Sequence, residues 1–244
     1  MANRRGVLGR CTAMVAVLAA LGATGVLPAG ATTSAATMYR EALATTKSWS
    51  VHYASDGTIS NVPILESGDA GPASGIQVVL VGTGTQSDSA TLVVIGDITY
   101  LKGNARALVD LAGLSTDQAS ADQGQWVLFS TDNPAFAQVV AGVRSHDVAE
   151  EIALKGPYTF GAPRKLDGFE VDAIRGTQAL QGTKKVDVVL YVRASGRHIV
   201  VEEDTVGAKG KPNGAEHFIF SKWGEKVKPT APDATITLGA VNAT

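Results

Sequence analysis

Residues 76–104 have the sequence IQVVLVGTGTQSDSATLVVIGDITYLKGN, and this stretch decides the fold. It contains three apolar, β-branched runs, at 76–81, 91–95 and 98–101. Glycines Gly82 and Gly84 lie between the first two runs, and Gly96-Asp97 separates the last two, as is typical of hairpin turns. Runs joined by such short connections pair side by side in opposite directions. The stretch therefore predicts an antiparallel meander.

The segment that follows the meander predicts short helices on either side of one strand. Asn104 is a candidate cap for a helix carrying Leu108 and Leu111, and residues 125–129 form the strand. Asp132-Asn133-Pro134 predicts a helix start, since it combines a capping side chain with a proline in the first turn. The apolar face of that helix is Phe136, Val139, Val140 and Val143. Ser145 is a candidate cap for a further helix that carries Val148 and Ile152.

The sequence patterns on both sides of this central region predict one helix and several strands. Apolar residues at helical spacing predict a helix over 34–46, and Trp49, Val51 and Tyr53 alternate with polar residues as in a strand. Residues 61–75 are polar and rich in Gly and Pro, which predicts a loop. Strands are predicted at 169–173, 185–193, 198–202, 215–223 and 235–238. Because helices do not alternate regularly with strands, the sequence predicts one α+β domain with an antiparallel sheet.

The N-terminus has the three parts of an export signal. Arg4, Arg5 and Arg10 form a basic head, residues 13–27 are apolar, and Ala29 and Ala31 provide the small residues that a signal peptidase requires. The sequence thus predicts a signal peptide at 1–31 and one mature domain at 32–244; the pair Arg4-Arg5 leaves the general and the twin-arginine routes both open. The one cysteine, Cys11, precedes the apolar stretch, so the predicted mature domain has no cysteine for a disulfide or a lipid anchor.

Charge and hydropathy limit the classes of partner. Three of the 21 basic residues and none of the 23 acidic residues precede residue 32, so the predicted mature domain has a net charge of −5. A mildly acidic domain is a poor candidate for binding nucleic acid through charge. No apolar run after the signal reaches the roughly 18 residues of a spanning helix.

The chemical motifs predict neither an enzyme nor a cofactor site. Gly82-Thr83-Gly84 has Ser87 where a dinucleotide loop needs its third glycine, and a strand follows where that loop needs a helix. No Gly-x-Ser-x-Gly or Ser-x-x-Lys motif occurs in the predicted mature domain, and the four histidines lack metal-binding spacings. The acidic run Glu202-Glu203-Asp204 is interpreted as a solvated strand end, with its neighbours on opposite faces.

The excess of apolar residues leaves two interpretations open. Val78 and Leu80 alternate with Val79 and Val81, so this strand is apolar on both faces, and the strand at 91–95 is similar. Either the sheet is covered on both sides, or its inner face lines an apolar cavity.

The order of these elements resembles a known family. The segments DITYLKGN (97–104), GQWVLFS (124–130) and LDGFEVDAIRGT (166–177) occur in an order similar to that of the actinobacterial envelope lipoproteins of the LppX/LprG type, which share the fold of the carrier LolA. The resemblance implies a strongly curved sheet, or incomplete β-barrel, closed by helices around a cavity for acyl chains. It implies a lipid or acylated ligand, no cofactor, and an envelope protein or transporter as a further candidate partner. This chain lacks the cysteine that such lipoproteins carry at the mature N-terminus.

The resemblance and the strand alternation together define a set of expected lining residues. A lipid carrier is the expected function, and a sensor or regulatory binding module on the same scaffold is the alternative. The residues expected to line the cavity are Trp49, Val51, Val78, Leu80, Leu92, Val94, Leu108, Leu111, Phe136, Val140, Val188, Leu190, Ile199 and Val201.

Overall fold

The computed structural model describes residues 33–59, 62–84, 87–130, 142–180, 184–206, 216–233 and 235–237. The predicted signal at 1–31 and the predicted helix residues Phe136 and Val140 lie outside these ranges. In the described part of the chain, no helix is long and apolar enough to cross a membrane.

The described elements are short helices and one large sheet. The helices are α1 (Ala35–Ser48), α2 (Ala105–Ala112), α3 (Thr116–Asp122) and α4 (Ser145–Glu151). The strands are β1 (Val51–Ile59), β2 (Val62–Ala70), β3 (Ser74–Val81), β4 (Asp88–Ile95), β5 (Ile98–Gly103), β6 (Trp126–Ser130), β7 (Lys155–Phe160), β8 (Arg164–Leu166), β9 (Phe169–Leu180), β10 (Lys184–Arg193), β11 (Val200–Val206), β12 (Glu216–Ser221) and β13 (Thr235–Thr237).

The sheet consists of two meanders joined in the middle. Its strand order is β13-β6-β5-β4-β3-β2-β1-β12-β11-β10-β9-β7, with β8 paired to β9. The join is the antiparallel pairing of β1 with β12, in which Tyr53 lies opposite Phe220. Strand β13 pairs in parallel with β6, and the other described pairings are antiparallel. The predicted α+β class with a curved, mainly antiparallel sheet is confirmed.

One predicted loop is a strand. Residues 62–70 form β2, which pairs with β1 on one side and β3 on the other. The prediction of a loop was wrong because the segment is polar and contains Pro63 and Gly68, which are unusual inside strands. Gly68 is needed there: a Cβ atom at this position would lie 2.5 Å from the carbonyl oxygen of Ile76 and 2.9 Å from the hydroxyl of Tyr53.

Side-chain caps set the starts of the helices. The side chain of Ser34 accepts a hydrogen bond from the Thr37 amide at the start of α1. The side chain of Asn104, the predicted cap of α2, accepts one from the Ala107 amide. At α4 the predicted cap was one residue off. Asp147 binds the amide of Arg144, while Ser145 is the first helical residue and its hydroxyl donates to the Lys47 carbonyl oxygen.

The helices pack on one face of the sheet, which we call the inner face, and divide the core into two clusters. The first cluster contains residues of β2–β6 with α2 and α3, including Leu92, Leu101 and Leu108. The second contains residues of α1, α4, β1 and β9–β12, including Tyr53 and Leu190. Burial of these side chains supplies most of the driving force for folding.

Candidate ligand-binding interior

Seven of the expected lining residues lie in the two apolar clusters. They are buried and come from both meanders and from α2: Val51, Leu92, Val94, Leu108, Leu111, Val188 and Leu190. Trp49 belongs to neither cluster. It is half-buried at the C-terminal end of α1, where the Arg197 guanidinium lies 4.0 Å from its ring centre. Ligand binding by any of these side chains stays a prediction.

The inward placement of Val78 and Leu80 was wrong. Val78 is 48% exposed and Leu80 is half-buried, whereas Val79 and Val81 are buried in the first cluster. Both faces of β3 are apolar, so alternation alone does not say which face is the inner one. The polar residue on the strand, Gln77, does not mark the outer face either, because it is only 4% exposed and shares the inner face with Val79 and Val81.

A β-bulge in β11 changes which of its residues lie opposite those of β10. Val192 pairs with Val200 but Tyr191 pairs with Glu202, so one extra residue, Val201, is accommodated between these pairs. Val200 consequently joins the second cluster. Ile199 and Val201 are buried as well but belong to neither cluster, and their place on the inner face stays a prediction.

Beyond the bulge, β11 places a carboxylate inside the protein. Glu203 pairs with the buried Leu190 and is 1% exposed, so its interpretation as part of a solvated strand end was wrong. Its Oε1 accepts a hydrogen bond of 3.2 Å from Gln178 Nε2, which also donates to the Glu151 carbonyl oxygen at 3.1 Å. This amide lowers the free energy of a carboxylate that would be costly to bury alone. Sequence alternation separates Glu203 from Glu202 and Asp204, but it does not reveal the amide on β9.

A second amide and carboxylate meet on the other side of the β1–β12 join. Gln77 Nε2 lies 3.5 Å from Glu66 Oε2. The α4 carboxylate Glu151 is close as well, since a Cβ atom on Gly142 would lie 3.3 Å from Gln77 Nε2 and 3.5 Å from Glu151 Oε2. The interior thus contains carboxylates and amides from β2, β3, β9, β11 and α4.

Two buried tyrosines attach the α4 region to the sheet and to α1. The Tyr53 hydroxyl donates to the Gly142 carbonyl oxygen at 2.9 Å. The Tyr39 hydroxyl donates to the Leu154 carbonyl oxygen at 3.1 Å and accepts from the Leu154 amide at 2.8 Å. Burial, together with the nearby Glu66 and Glu151 carboxylates, raises the pKa of Tyr53 well above its usual value. The pKa of Tyr39 is also raised, chiefly by burial. Both phenols therefore stay neutral and act as hydrogen-bond donors at ordinary pH.

The outer face has a separate polar group on β11 and β12. Ligating atoms of Glu202, Asp204 and His217 all lie within 4.8 Å of one another, a set that includes ligand types found in metal sites. The Arg164 guanidinium binds Glu202, lies 3.7 Å from Asp204 and stacks 3.4 Å from the Tyr191 ring centre. A protein cation thus balances the charge of this group.

A small cavity and an open groove lie on the inner side of the described part of the chain. A cavity of about 10 Å³ lies between α2 and strands β3 and β4, beside Val79, Val81, Ala90 and Ala107. The groove, of about 490 Å³, lies beside the start of α1, with Met38, Phe160, Asp172 and His198 among its lining residues. A space of 10 Å³ holds about one water molecule, so an acyl chain entering beneath α2 would have to displace that helix.

Solved structures show what this chain is similar to. LprF from Mycobacterium bovis matches 81% of this chain and 96% of its own, with 15% identity and a TM-score of 0.51. LppX from Mycobacterium tuberculosis matches 80% of this chain and 97% of its own, with 16% identity and a TM-score of 0.48. A LolA superfamily protein from Nitrosomonas europaea matches 81% and 96%, with 11% identity and a TM-score of 0.28. No protein-family model and no curated protein sequence matches the chain. The chain therefore shares the curled, helix-covered sheet of LprF, a likeness of fold alone.

Proposed function

We propose that this protein is an exported, non-enzymatic carrier that binds a lipid or acyl chain between its curled sheet and the helices on the inner face. The observation that carries the proposal is that two short helices, α2 and α3, cover the first cluster. Helices α2 and α3 contain 8 and 7 residues, fewer than an isolated helix needs for stability in water. They are held by the burial of a few side chains such as Leu108, Leu111 and Ala119.

An acyl chain can replace the apolar contacts that α2 makes with the sheet. If α2 moves away from β3 and β4, the exposed surface consists of the apolar residues Val79, Val81, Ala90 and Leu92. Polar contacts join the start of the helix to the sheet, since Arg106 binds Asp88 at 2.7 Å and Asn104 donates to the Ser87 carbonyl oxygen at 2.8 Å. Each methylene buried there contributes about 0.8 kcal/mol, so a long chain binds by apolar burial alone. The small cavity at this interface shows that the packing beneath α2 is incomplete.

Export is part of the proposal and has its own support. The basic head, apolar stretch and Ala29-x-Ala31 pattern occur together and in order, and the one cysteine lies ahead of the apolar stretch. We propose cleavage after Ala31 and a protein that is not acylated at a cysteine. The mass of the protein from the envelope or medium of an expressing host tests both points, since a mass that begins before residue 32, or that includes a diacylglyceryl group, contradicts them.

Native mass spectrometry and a matched pair of variants test the carrier function. Protein purified without detergent should carry acyl compounds that dissociate on activation, and it should bind a fluorescent fatty-acid probe. Val81→Phe places extra volume in the small cavity, whereas Leu80→Phe adds the same ring on the outer face of the same strand. If the probe binds more weakly to Val81→Phe but not to Leu80→Phe, the result supports the site beneath α2. An apo mass together with no probe binding overturns the proposal.

The outer face favours a second candidate function, a regulatory module that contacts another envelope protein. Leu65 and Val78 are 50% and 48% exposed on β2 and β3, and Leu65 pairs directly with Leu80. Exposed apolar residues that adjoin one another mark interaction surfaces. A photo-crosslinking residue at position 78 should then form one discrete adduct in producing cells, and the same residue at Asp97, in the exposed turn after β4, should not. Equal labelling at both positions argues against this candidate.

A further inference from the structure

One end of the meander β7–β12 is basic, although the predicted mature domain as a whole has a net charge of −5. This end consists of the β8–β9 hairpin, the turn between β10 and β11, the segment after β12 and the last turn of α1. Its basic residues outnumber its acidic residues by six to three: Lys47, Lys165, Arg193, Arg197, Lys222 and Lys226 against Asp167, Glu170 and Glu225. We call these six basic residues, with the aromatic neighbours Trp49 and Phe169, the basic end.

Direct contacts join these segments into one surface. The Arg197 guanidinium lies 4.0 Å from the Trp49 ring centre, so the turn after β10 meets the end of α1. A Cβ atom on Gly224 would lie 3.5 Å from the same ring, which places the segment after β12 there as well. The Ala194 amide donates to the Glu170 carbonyl oxygen at 3.0 Å and so joins the turn to the hairpin. The basic residues are therefore neighbours in space.

The two arginines of the basic end have aromatic rings as partners. The Arg193 guanidinium lies 4.1 Å from the Phe169 ring centre, as Arg197 lies against its own ring. Among the described residues, neither arginine lies in an ion pair with a carboxylate, whereas Arg106 and Arg144 each bind an aspartate. Guanidinium groups form strong, charge-assisted hydrogen bonds with phosphate oxygens. Both arginines can therefore bind an external anion without losing a carboxylate partner.

The aromatic residue of the hairpin is exposed. Phe169 is 42% exposed beside Arg193, whereas Phe218 and Phe220 of the same meander are buried. An apolar ring next to a cation suits the boundary between lipid and water, where the ring enters the apolar layer and the charged group reaches the head groups. The hairpin thus combines the two kinds of side chain that such a boundary requires.

The opposite end of the sheet is acidic. Helices α2 and α3 follow β5 at that end, and they contain Asp110, Asp117 and Asp122 but one basic residue, Arg106. An anionic surface therefore attracts the basic end and repels the α2–α3 end. Such a charge asymmetry orients the protein as it approaches the surface.

We infer that the basic end docks on an anionic lipid surface, where its arginines and lysines bind lipid phosphates and the Phe169 ring enters the lipid–water boundary. The basic end is separate from the proposed acyl-chain site beneath α2, so the inference can fail while the carrier proposal stands. The open groove of about 490 Å³ lies beside the basic end, since Ala194, Ser195 and Gly196 line it. Docking therefore brings this groove next to the lipid surface.

Vesicles of two compositions test the inference. Protein recovered from the envelope or medium of an expressing host is mixed with vesicles of phosphatidylcholine, or of equal parts phosphatidylcholine and phosphatidylglycerol, and then sedimented. The protein should sediment with the anionic vesicles and stay in solution with the neutral ones. Raising the salt concentration should release it, because interactions between exposed charges are screened by salt.

Matched lysine variants locate the docking surface. The first variant combines three substitutions in the basic end: Lys47→Gln, Lys222→Gln and Lys226→Gln. The second combines three at exposed positions elsewhere: Lys102→Gln, Lys155→Gln and Lys185→Gln. Both variants have the same net charge. The first should bind anionic vesicles on the order of a hundredfold more weakly than the unchanged protein, and the second should bind nearly as well as that protein.

A single substitution tests the aromatic contribution. Phe169→Ser should weaken binding to the anionic vesicles but keep its dependence on salt, since the cations remain. Thermal melting curves show whether each variant folds. If the first lysine variant does not fold, Arg197→Gln removes one cation of the same surface and repeats its test.

The remaining results overturn the inference. Equal weakening in the two lysine variants means that net charge, and not the basic end, governs binding. Equal sedimentation with neutral and anionic vesicles means that lipid phosphates with a net negative charge are not what the protein recognises. If the protein binds neither kind of vesicle, the basic end has no lipid partner, and an acidic protein becomes the candidate for this surface.

Discussion

Gly75 lies directly beneath the backbone carbonyl of Val143: a Cβ atom at position 75 would be 2.0 Å from the Val143 oxygen. The chain leading into α4 thus rests on the backbone of β3. Further contacts attach it there, since the Ser145 amide donates to the Gly71 carbonyl oxygen at 3.0 Å and Tyr53 holds Gly142. This close approach places Glu151 above the inner face.

Gly75→Ala should separate these two segments and destabilise the protein. The methyl group cannot fit without moving backbone on one side, and overpacking of this kind costs about 1–3 kcal/mol or more. Urea denaturation should show a lower midpoint, and the Tyr53 bond to Gly142 should weaken. Ser74→Ala, on the neighbouring position of the same strand, is the control. A Gly75→Ala protein as stable as this control would contradict the described approach.

The buried tyrosines predict a loss of stability at alkaline pH. Below pH 10.0, the usual pKa of tyrosine, the phenols of Tyr53 and Tyr39 are neutral in both the folded and the unfolded chain. Their contribution to the free energy of unfolding is then fully present. Above that pH the unfolded chain releases these protons first, because the folded pKa of each is raised. The free energy of unfolding should then fall by up to about 1.4 kcal/mol per pH unit for each phenol, until the folded phenols ionise.

Denaturation curves from neutral pH to about pH 11 measure this slope. Tyr53→Phe should lower stability at neutral pH by about 1 kcal/mol, since its bond to Gly142 is lost, but it should also reduce the alkaline slope. Tyr191→Phe, at a half-exposed position, should reduce the slope less. Phenolate absorbance that reports all tyrosines ionising together near pH 10 would exclude this account.

Arg164 is expected to keep metal ions from the outer polar group. Arg164→Ala removes the cation that balances the charges of Glu202 and Asp204. These two carboxylates and His217 should then be able to bind a transition metal. Calorimetry with Zn²⁺ should show binding to this variant and much weaker binding to the unchanged protein. The cost in stability should be about 1 kcal/mol or less, because the arginine side chain is 39% exposed. Adding His217→Ala to Arg164→Ala should abolish the site, and equal zinc binding with and without Arg164 would contradict its role.

The N-terminal cap of α2, Asn104, should control how fast a ligand enters the space beneath this helix. Asn104 accepts from the Ala107 amide at 2.9 Å and donates to the Ser87 carbonyl oxygen at 2.8 Å, so it joins α2 to the sheet. Asn104→Ala should cost about 1–2 kcal/mol and speed the binding of a fatty-acid probe in stopped-flow measurements. Ser34→Ala removes the cap of α1, away from the first cluster, and should leave the binding rate unchanged. An unchanged rate in the Asn104 variant would indicate entry elsewhere.

The fold could be predicted where one local rule was enough. The turn at Gly96-Asp97 and the alternation on either side of it predict the β4–β5 hairpin, and Asn104 marks the start of α2. Strand β2 could not be predicted, because its partners hold it in place against its own composition. Pairing with β1 and β3 outweighs the poor strand propensity of Pro63 and Gly68.

The inward-facing polar residues could not be predicted for a related reason. Gln77 and Glu203 are polar residues on otherwise apolar strands, and a single strand suggests that they face solvent. They face inward because their partners, Glu66 and Gln178, lie on other strands. Such pairs depend on register, and the bulge at Val201 shifts the register of β11 by one residue.

The join between the two meanders also has a kinetic consequence. Each meander forms from neighbouring segments of the chain, but Tyr53 and Phe220 must meet from opposite ends of the described sequence. Contacts between distant segments form slowly, so we expect two half-sheets to assemble early and β1 to close on β12 in the rate-limiting step. The proposed binding interior takes side chains from both meanders, on the two sides of that closure. A fatty-acid probe that binds across them should therefore slow the unfolding of the finished protein, and stopped-flow unfolding with and without the probe measures that change.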